Sequence, residues 1–513
     1  MSIHPSTRHA PMPPKLGPDD PRYREVLEKR FNRRFSATPD YVRLAGSTED
    51  VVAAVQDALH GNRRLVVTSG GHCLENFVSD PGVRVILDVS SMNRVYADPR
   101  LRAVTVEAGA TVGETFQALY QNWGTVIPLG EYPAIGMGGH VAGGAFGFLC
   151  RELGLAADYL HAVEVVTVDA ARRAGSVIAT RESTDPNRDL WWAHTGGGGG
   201  NFGVVTRYWF RSPGEAAAEP ASLLPHAPAS ITTLRAEWSW GDLDQTSFAR
   251  LLRNHGTWCE LESGPESRFA SLWTLLEIHR REFGKIMIRG VSTAGTEAER
   301  QLMEHVAALS DGVRPPSGME LERMGWLEFA LNPLPDLFSA PPGGVSVKVK
   351  DALLKRRLSD DQIRVVYEHL TRGHGIMGGM LGLATYGGRI NTVARDATAS
   401  AQRGAILDLA CTTGWLDPRD EAANLAWVRE FYRALFADTG GVPVPGEHYE
   451  GTFINHPDTD VADPAWNTSG VPWSTLYYQA NYPRLQRVKT RWDPHNVFRH
   501  PLSIEHHSPP PVA

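Results

Sequence analysis

The stretch VVTSGGHC, Val66 to Cys73, decides how the chain reads. Val66 and Val67 close a short buried strand. Gly70 and Gly71 then permit a tight turn whose main-chain N–H groups face an anion with no side chain in the way. His72 sets a nucleophilic imidazole directly behind that turn. A glycine pair ahead of a histidine is compatible with an ordinary turn, but two further glycine clusters follow. They are GMGGHVAGGAFG, Gly136 to Gly147, and TGGGGGNFG, Thr195 to Gly203. Three close-approach loops in one half of the chain point to a large, phosphate-bearing cofactor.

The 513 residues can bury a large core and favour two or more domains. A net charge of −7 and the lack of a basic tract give no support for nucleic-acid binding. No apolar run reaches the length of a membrane span. The N-terminal residues lack an apolar signal core, so a cytoplasmic enzyme is expected. The four cysteines, Cys73, Cys150, Cys259 and Cys411, form no CxxC pair, and neither a disulfide framework nor a metal site is expected.

Residues 1–20 are proline-rich and read as an extended arm. Strands and helices alternate from there to residue 211. Ser47 caps a helix carrying Val51, Val52, Val55 and Leu59 at helical spacing and closed by Gly61. β-rich runs begin at Leu65, Arg84, Ala103 and Ala162, a helix spans Thr111 to Trp123, and Phe202 to Phe210 reads as a strand. Past Ser212 a proline-bearing linker leads to longer amphipathic helices at Phe248 to His255, Asp360 to Leu370 and Glu421 to Phe436. Leu331 to Gly344 reads as a long surface loop. The tail from Tyr477 to Phe498 reads as a helix ended by Asp493-Pro494.

Together the segments SGGH (Ser69 to His72), GGHVAGGAFGFLCRELGLAADYL (Gly138 to Leu160), DLWWAHTGGGGGNFGVVT (Asp189 to Thr206), YYQANYPRL and DPHNVF resemble the berberine bridge enzyme-like FAD-linked oxidoreductases of the vanillyl-alcohol oxidase superfamily. The likeness covers nearly the whole chain and is strongest toward bacterial sugar and polyketide oxidases of antibiotic pathways. It implies an α+β fold: a two-lobed PCMH-type FAD-binding domain from both chain ends (21–211 and 456–513), and a middle α/β substrate domain (212–455) with an antiparallel sheet. His72 matches the histidine that bonds to the flavin 8α carbon, a link that makes the flavin a stronger oxidant. Ser69, Gly70, Gly71, Cys73, Gly136, Gly139, His140, Gly143, Gly203, Val204 and Asn481 fall at cofactor-binding positions.

Several positions depart from the family pattern. Thr68 stands where relatives often carry arginine. Doubly linked relatives attach a cysteine within a G-x-C-P-like segment. Here that segment is Gly130-Glu131-Tyr132-Pro133, so a single bond through His72 is expected, with Cys150 a buried structural thiol. Phe146 and His456 stand where sugar-oxidising relatives use tyrosines. Alcohol oxidation needs a base for the hydroxyl proton. His456, whose side-chain type titrates near neutrality, is one candidate. Tyr386, Tyr477, Tyr478 and Asp408 are the others.

Two function classes follow. The favoured one is an FAD-dependent oxidase or dehydrogenase of a glycosylated or polyketide-like small-molecule natural product. The alternative is a redox-neutral cyclase on the same scaffold, the lost cysteine and tyrosines being its argument.

Overall fold

The computed structural model describes residues 12–215, 219–334, 344–373 and 378–507. Three sheets organise them. The first carries Lys15–Leu16, Tyr41–Leu44, Val85–Asp88 and Leu65–Thr68 in that order, the last three strands parallel. The helix Thr48–His60 lies on it, because Val51, Ala54, Val55 and Leu59 form one apolar stripe against Tyr41, Leu65, Val85 and Leu87. The Ser47 hydroxyl accepts the Asp50 N–H at its start. The second sheet is antiparallel, in the order Val95–Asp98, Ala103–Glu107, Val204–Phe210, Leu160–Val168, Ala174–Thr180.

The third sheet has eight antiparallel strands. Their order is Gly318–Met324, Ile231–Ser239, Lys285–Ser292, Leu272–His279, Met380–Thr385, Leu407–Trp415, Ser346–Leu354, Tyr449–Gly451. Side chains alternate across it, and its two faces have different covers. Ala352, Leu354, Leu381, Leu383, Leu407 and Leu409 pack under the helices Gln245–Glu262, Ala298–Leu309, Asp360–Thr371 and Glu421–Leu435. Leu353, Ala384, Trp273 and Val291 point the other way. They share one core with Met137, Val141 and Phe146 of the second glycine cluster and with Leu476, Tyr477 and Tyr478 of the tail. That sheet face and the glycine loops therefore pack against each other.

Some expectations change. The arm is extended only in part: Lys15–Leu16 pairs with the strand Tyr41–Leu44, and residues 1–11 lie outside the described residues. The helix expected at Phe248 to His255 runs from Gln245 to Glu262, because Asp244 caps it earlier by accepting the Ser247 N–H. Leu331 ends the helix Trp326–Leu331 instead of opening a loop; 335–343 lie outside the described residues. The tail is two helices, Trp473–Tyr478 and Tyr482–Trp492. Gln479 between them sits at φ 48°, and Pro483, lacking an N–H, is tolerated because it opens the second helix.

Candidate active site

The strand Leu65–Thr68 delivers the chain into the Ser69–His72 turn. Gly71 has φ +73°, and a Cβ there would meet the Lys29 carbonyl oxygen at 3.0 Å. A Cβ at Gly70 would run into the main chain of Gly136, and one at Gly136 into Gly70 and the Ser69 hydroxyl. The two loops therefore pack backbone against backbone. Gly143 lies as close to the Asn455 amide, and Gly203 to the Val166 carbonyl, while Gly139 faces open space. Among the described residues, the N–H groups of Gly70, Gly71 and His72 have no hydrogen-bond partner. Free main-chain donors in a cradle without side chains fit a diphosphate, as FAD requires.

His72 stacks on Phe31 at 5.1 Å between ring centroids and leans on Tyr132 at 5.2 Å. Burial pulls its pKa down to about 4, which leaves a neutral imidazole with a free lone pair at neutral pH. Other residues expected at the cofactor have roles within the chain. The Ser69 hydroxyl donates to the Ala108 carbonyl at 2.7 Å. The Cys73 thiol points to the Glu75 carbonyl at 3.2 Å, and burial raises it to about 11. His140 Nε2 accepts the Gly130 N–H at 2.8 Å, and burial, helped by His456 and His72, lowers that ring to about 3. Val204 is buried beside Val166 and Val168 in the core under the first helix. The Asn481 amide bonds the carbonyls of Arg395, Thr398 and Ala399, so it staples the tail to a middle-segment loop. Cys150 is fully buried and its thiol is pushed up to about 12.

On the sheet side, Phe146 meets Tyr386 edge-on at 5.2 Å, Phe453 at 4.8 Å and His456 at 6.2 Å. The structure thus brings Phe146, Tyr386 and His456 together. Beneath them stands Asp351, from the strand Ser346–Leu354. Its Oδ1 lies 3.0 Å from His456 Nδ1, and its Oδ2 accepts the Phe453 N–H at 2.9 Å and the Thr452 hydroxyl at 3.1 Å. Asp408 joins them: ligand-type atoms of Asp351, Asp408 and His456 lie within 4.8 Å of one another, a spacing that could also hold a metal ion. Burial raises Asp351 to about 6 despite those hydrogen bonds. Burial and the Asp351 charge raise Asp408 well above the carboxylate range. Glu131, in the segment before the second glycine cluster, is raised by burial and the Asp408 charge to about 8.

The tyrosines named as bases are differently placed. Burial pushes all three phenols up. The Tyr477 oxygen accepts the Asp458 N–H at 2.9 Å, and the Tyr478 hydroxyl donates to the Gly197 carbonyl at 3.0 Å. Tail tyrosines so bonded anchor main chain. Asp351 and Glu131 were missed by the sequence reading. The signal for Asp351 was an acid inside the apolar alternation of SVKVKDALL, and for Glu131 its place beside Tyr132.

Fold and glycine cradle together are those of an FAD-binding oxidoreductase. A family model described as FAD binding domain matches residues 39–173, and one described as berberine and berberine like matches 452–505. The chain is 46% identical to the aclacinomycin-N/aclacinomycin-A oxidase of Streptomyces galilaeus, over 94% of this chain and 88% of that protein. It is 29% identical to the hexose oxidase of Chondrus crispus, over 94% and 93%. Among solved structures, aclacinomycin oxidoreductase superposes with TM-score 0.93 at 45% identity, covering 97% of this chain and all of that one. A glycopeptide hexose oxidase complexed with teicoplanin superposes with TM-score 0.91 at 44% identity, covering 96% and 99%. The chain belongs to the berberine bridge enzyme-like family of FAD-linked oxidoreductases. Its relatives are named as oxidases, which supports oxidation over redox-neutral cyclisation. Among the described residues no helix is long and apolar enough to cross a membrane.

Proposed function

We propose that this protein oxidises an alcohol carbon of a sugar-bearing or polyketide-like natural product, with His456 as the base that takes the hydroxyl proton. The observation that carries this is the His456–Asp351 contact beside the rings of Phe146 and Phe453. FAD, when bound, supplies the hydride acceptor. The chain supplies the rest. Gly70, Gly71 and the His72 N–H hold the diphosphate, and His72 is the single covalent attachment point, since Tyr132 replaces the second. Phe146, Phe453 and Tyr386 exclude water from the reacting carbon. The Asp351 carboxylate orients the imidazole and stabilises it once protonated. Residues 21–211 and 456–513 form the FAD unit in this reading, and 212–455 the substrate unit. The aclacinomycin and glycopeptide relatives support the substrate class.

The test is His456→Ala with flavin content held equal. Turnover is expected to fall by ~10²–10⁴-fold, the usual loss for a general base, and the wild-type product to be lighter than substrate by two hydrogens. Wild-type turnover in the variant, or an isomeric product formed without H2O2, would overturn the reading.

A further inference from the structure

Asp408 stands on the strand Leu407–Trp415, opposite Leu353 and diagonal to Asp351 on the same sheet face. Two ionised carboxylates cannot hydrogen-bond each other, because neither has a donor. A carboxylate oxygen of Asp351 and one of Asp408 lie within 4.8 Å of each other, and both side chains are buried, so one of the two carries a proton. Its owner follows from the other contacts. Asp351 already accepts from the Phe453 N–H and the Thr452 hydroxyl, with His456 Nδ1 3.0 Å from its other oxygen, an environment made for a negative charge. Asp408 has no such donors, and its Oδ1 is buried without a partner. The other titratable groups near the trio are Glu131, His140, Tyr386 and Cys150. Lys350 is near Asp351 in sequence but turns to the opposite face of the strand, where it sits over the Tyr432 ring. None of the pocket-side groups neutralises a second carboxylate.

We infer that Asp408 is a positioning residue for the base: it donates its carboxyl proton to Asp351, holds Asp351 as acceptor of the His456 Nδ1–H, and so leaves Nε2 as the lone pair that takes the substrate proton. This rests on the assignment of His456 as base. The three residues make a chain in which a neutral acid buttresses an ionised one. The imidazole tautomer is then set before substrate arrives.

The experiment compares Asp408→Asn, which keeps a donor but cannot ionise, with Asp408→Leu, which removes the donor, at equal flavin absorbance. Asp408→Asn is expected to keep kcat within about threefold and the acidic limb of its pH profile unmoved. Asp408→Leu is expected to lose about 10–100-fold in kcat, as for a lost orienting partner, with KM little changed. Its acidic limb should move to higher pH, because Asp351 loses a bond that favours its charge. Should Asp408→Leu not fold, Asp408→Ala takes its place. Infrared spectroscopy gives an independent readout: beside the band of protonated Glu131, a second protonated-carboxyl band at neutral pH that is lost in Asp408→Asn. A wild-type profile in Asp408→Leu, an Asp408→Asn as slow as Asp408→Leu, or absence of that band would overturn the inference. So would a stoichiometric divalent metal whose chelation abolishes turnover. If His456→Ala is itself unimpaired, the base assignment has failed; if His456→Ala is inactive and Asp408→Leu is not, only the role of Asp408 has.

Discussion

A histidine serves as a nucleophile only while it is neutral, and His72 is kept so by the rings of Phe31 and Tyr132 around it. Wild-type protein is therefore expected to keep flavin through acid denaturation, seen as in-band fluorescence on a gel, and to yield one flavopeptide containing His72. His72→Ala should lose that fluorescence; a flavopeptide containing Cys73 or Cys150 would contradict the single link. Glu131 makes a different prediction. Its folded pKa, about 8, lies above the ordinary glutamate value, so the folded state binds the extra proton. The stability this contributes is full below the unfolded pKa and is lost as pH rises through about 8. Glu131→Gln should flatten the fall in thermal midpoint that the wild type shows between about pH 5 and pH 9. His72 was legible in the sequence because its meaning is local, two glycines and a strand end. Glu131 was not, since its burial depends on a sheet that arrives from elsewhere in the chain.

At the scale of the element, the strand Ser346–Leu354 works on both faces. Lys348 and Lys350 meet Asp458 and Asp460, while Asp351 points into the pocket. A charged strand of this kind reads as solvated, and only the sheet order, with Leu407–Trp415 on one side and Tyr449–Gly451 on the other, shows that it is buried. The tail illustrates the converse. Its aromatic residues were readable as a motif and do join the shared core, but the break at Gln479 and the hydroxyl partners come from contacts with distant main chain. Tyr478→Phe should cost about 0.5–1.5 kcal/mol of stability for the lost bond to Gly197, and leave the pH profile of turnover in place. A collapse of turnover with unchanged stability would instead mark Tyr478 as the base.

Across the whole molecule, one buried ionic cluster ties four stretches of chain together. Lys348 pairs with Glu75, three residues past His72, and with Asp458 at 2.7 Å; Lys350 reaches Asp458 at 2.5 Å and Asp460 at 3.0 Å; Arg429 holds Asp460 at 2.7 Å. Removing one partner of a buried pair leaves the other charge uncompensated, at a cost of about 3–5 kcal/mol. Lys348→Ala should accordingly lower the thermal midpoint sharply, and Lys348→Met combined with Glu75→Leu should recover part of it. An unshifted midpoint in Lys348→Ala would show that the cluster does not hold these stretches together. By itself the sequence determined the flavin-binding class, the α+β architecture and the glycine cradle, because a residue without a Cβ constrains the few residues around it wherever the chain goes. Only the tertiary structure decided which acid stands behind His456. Asp351, Asp408 and His456 come from two strands and a loop far apart in the chain, and they meet only after the sheet closes over the glycine loops.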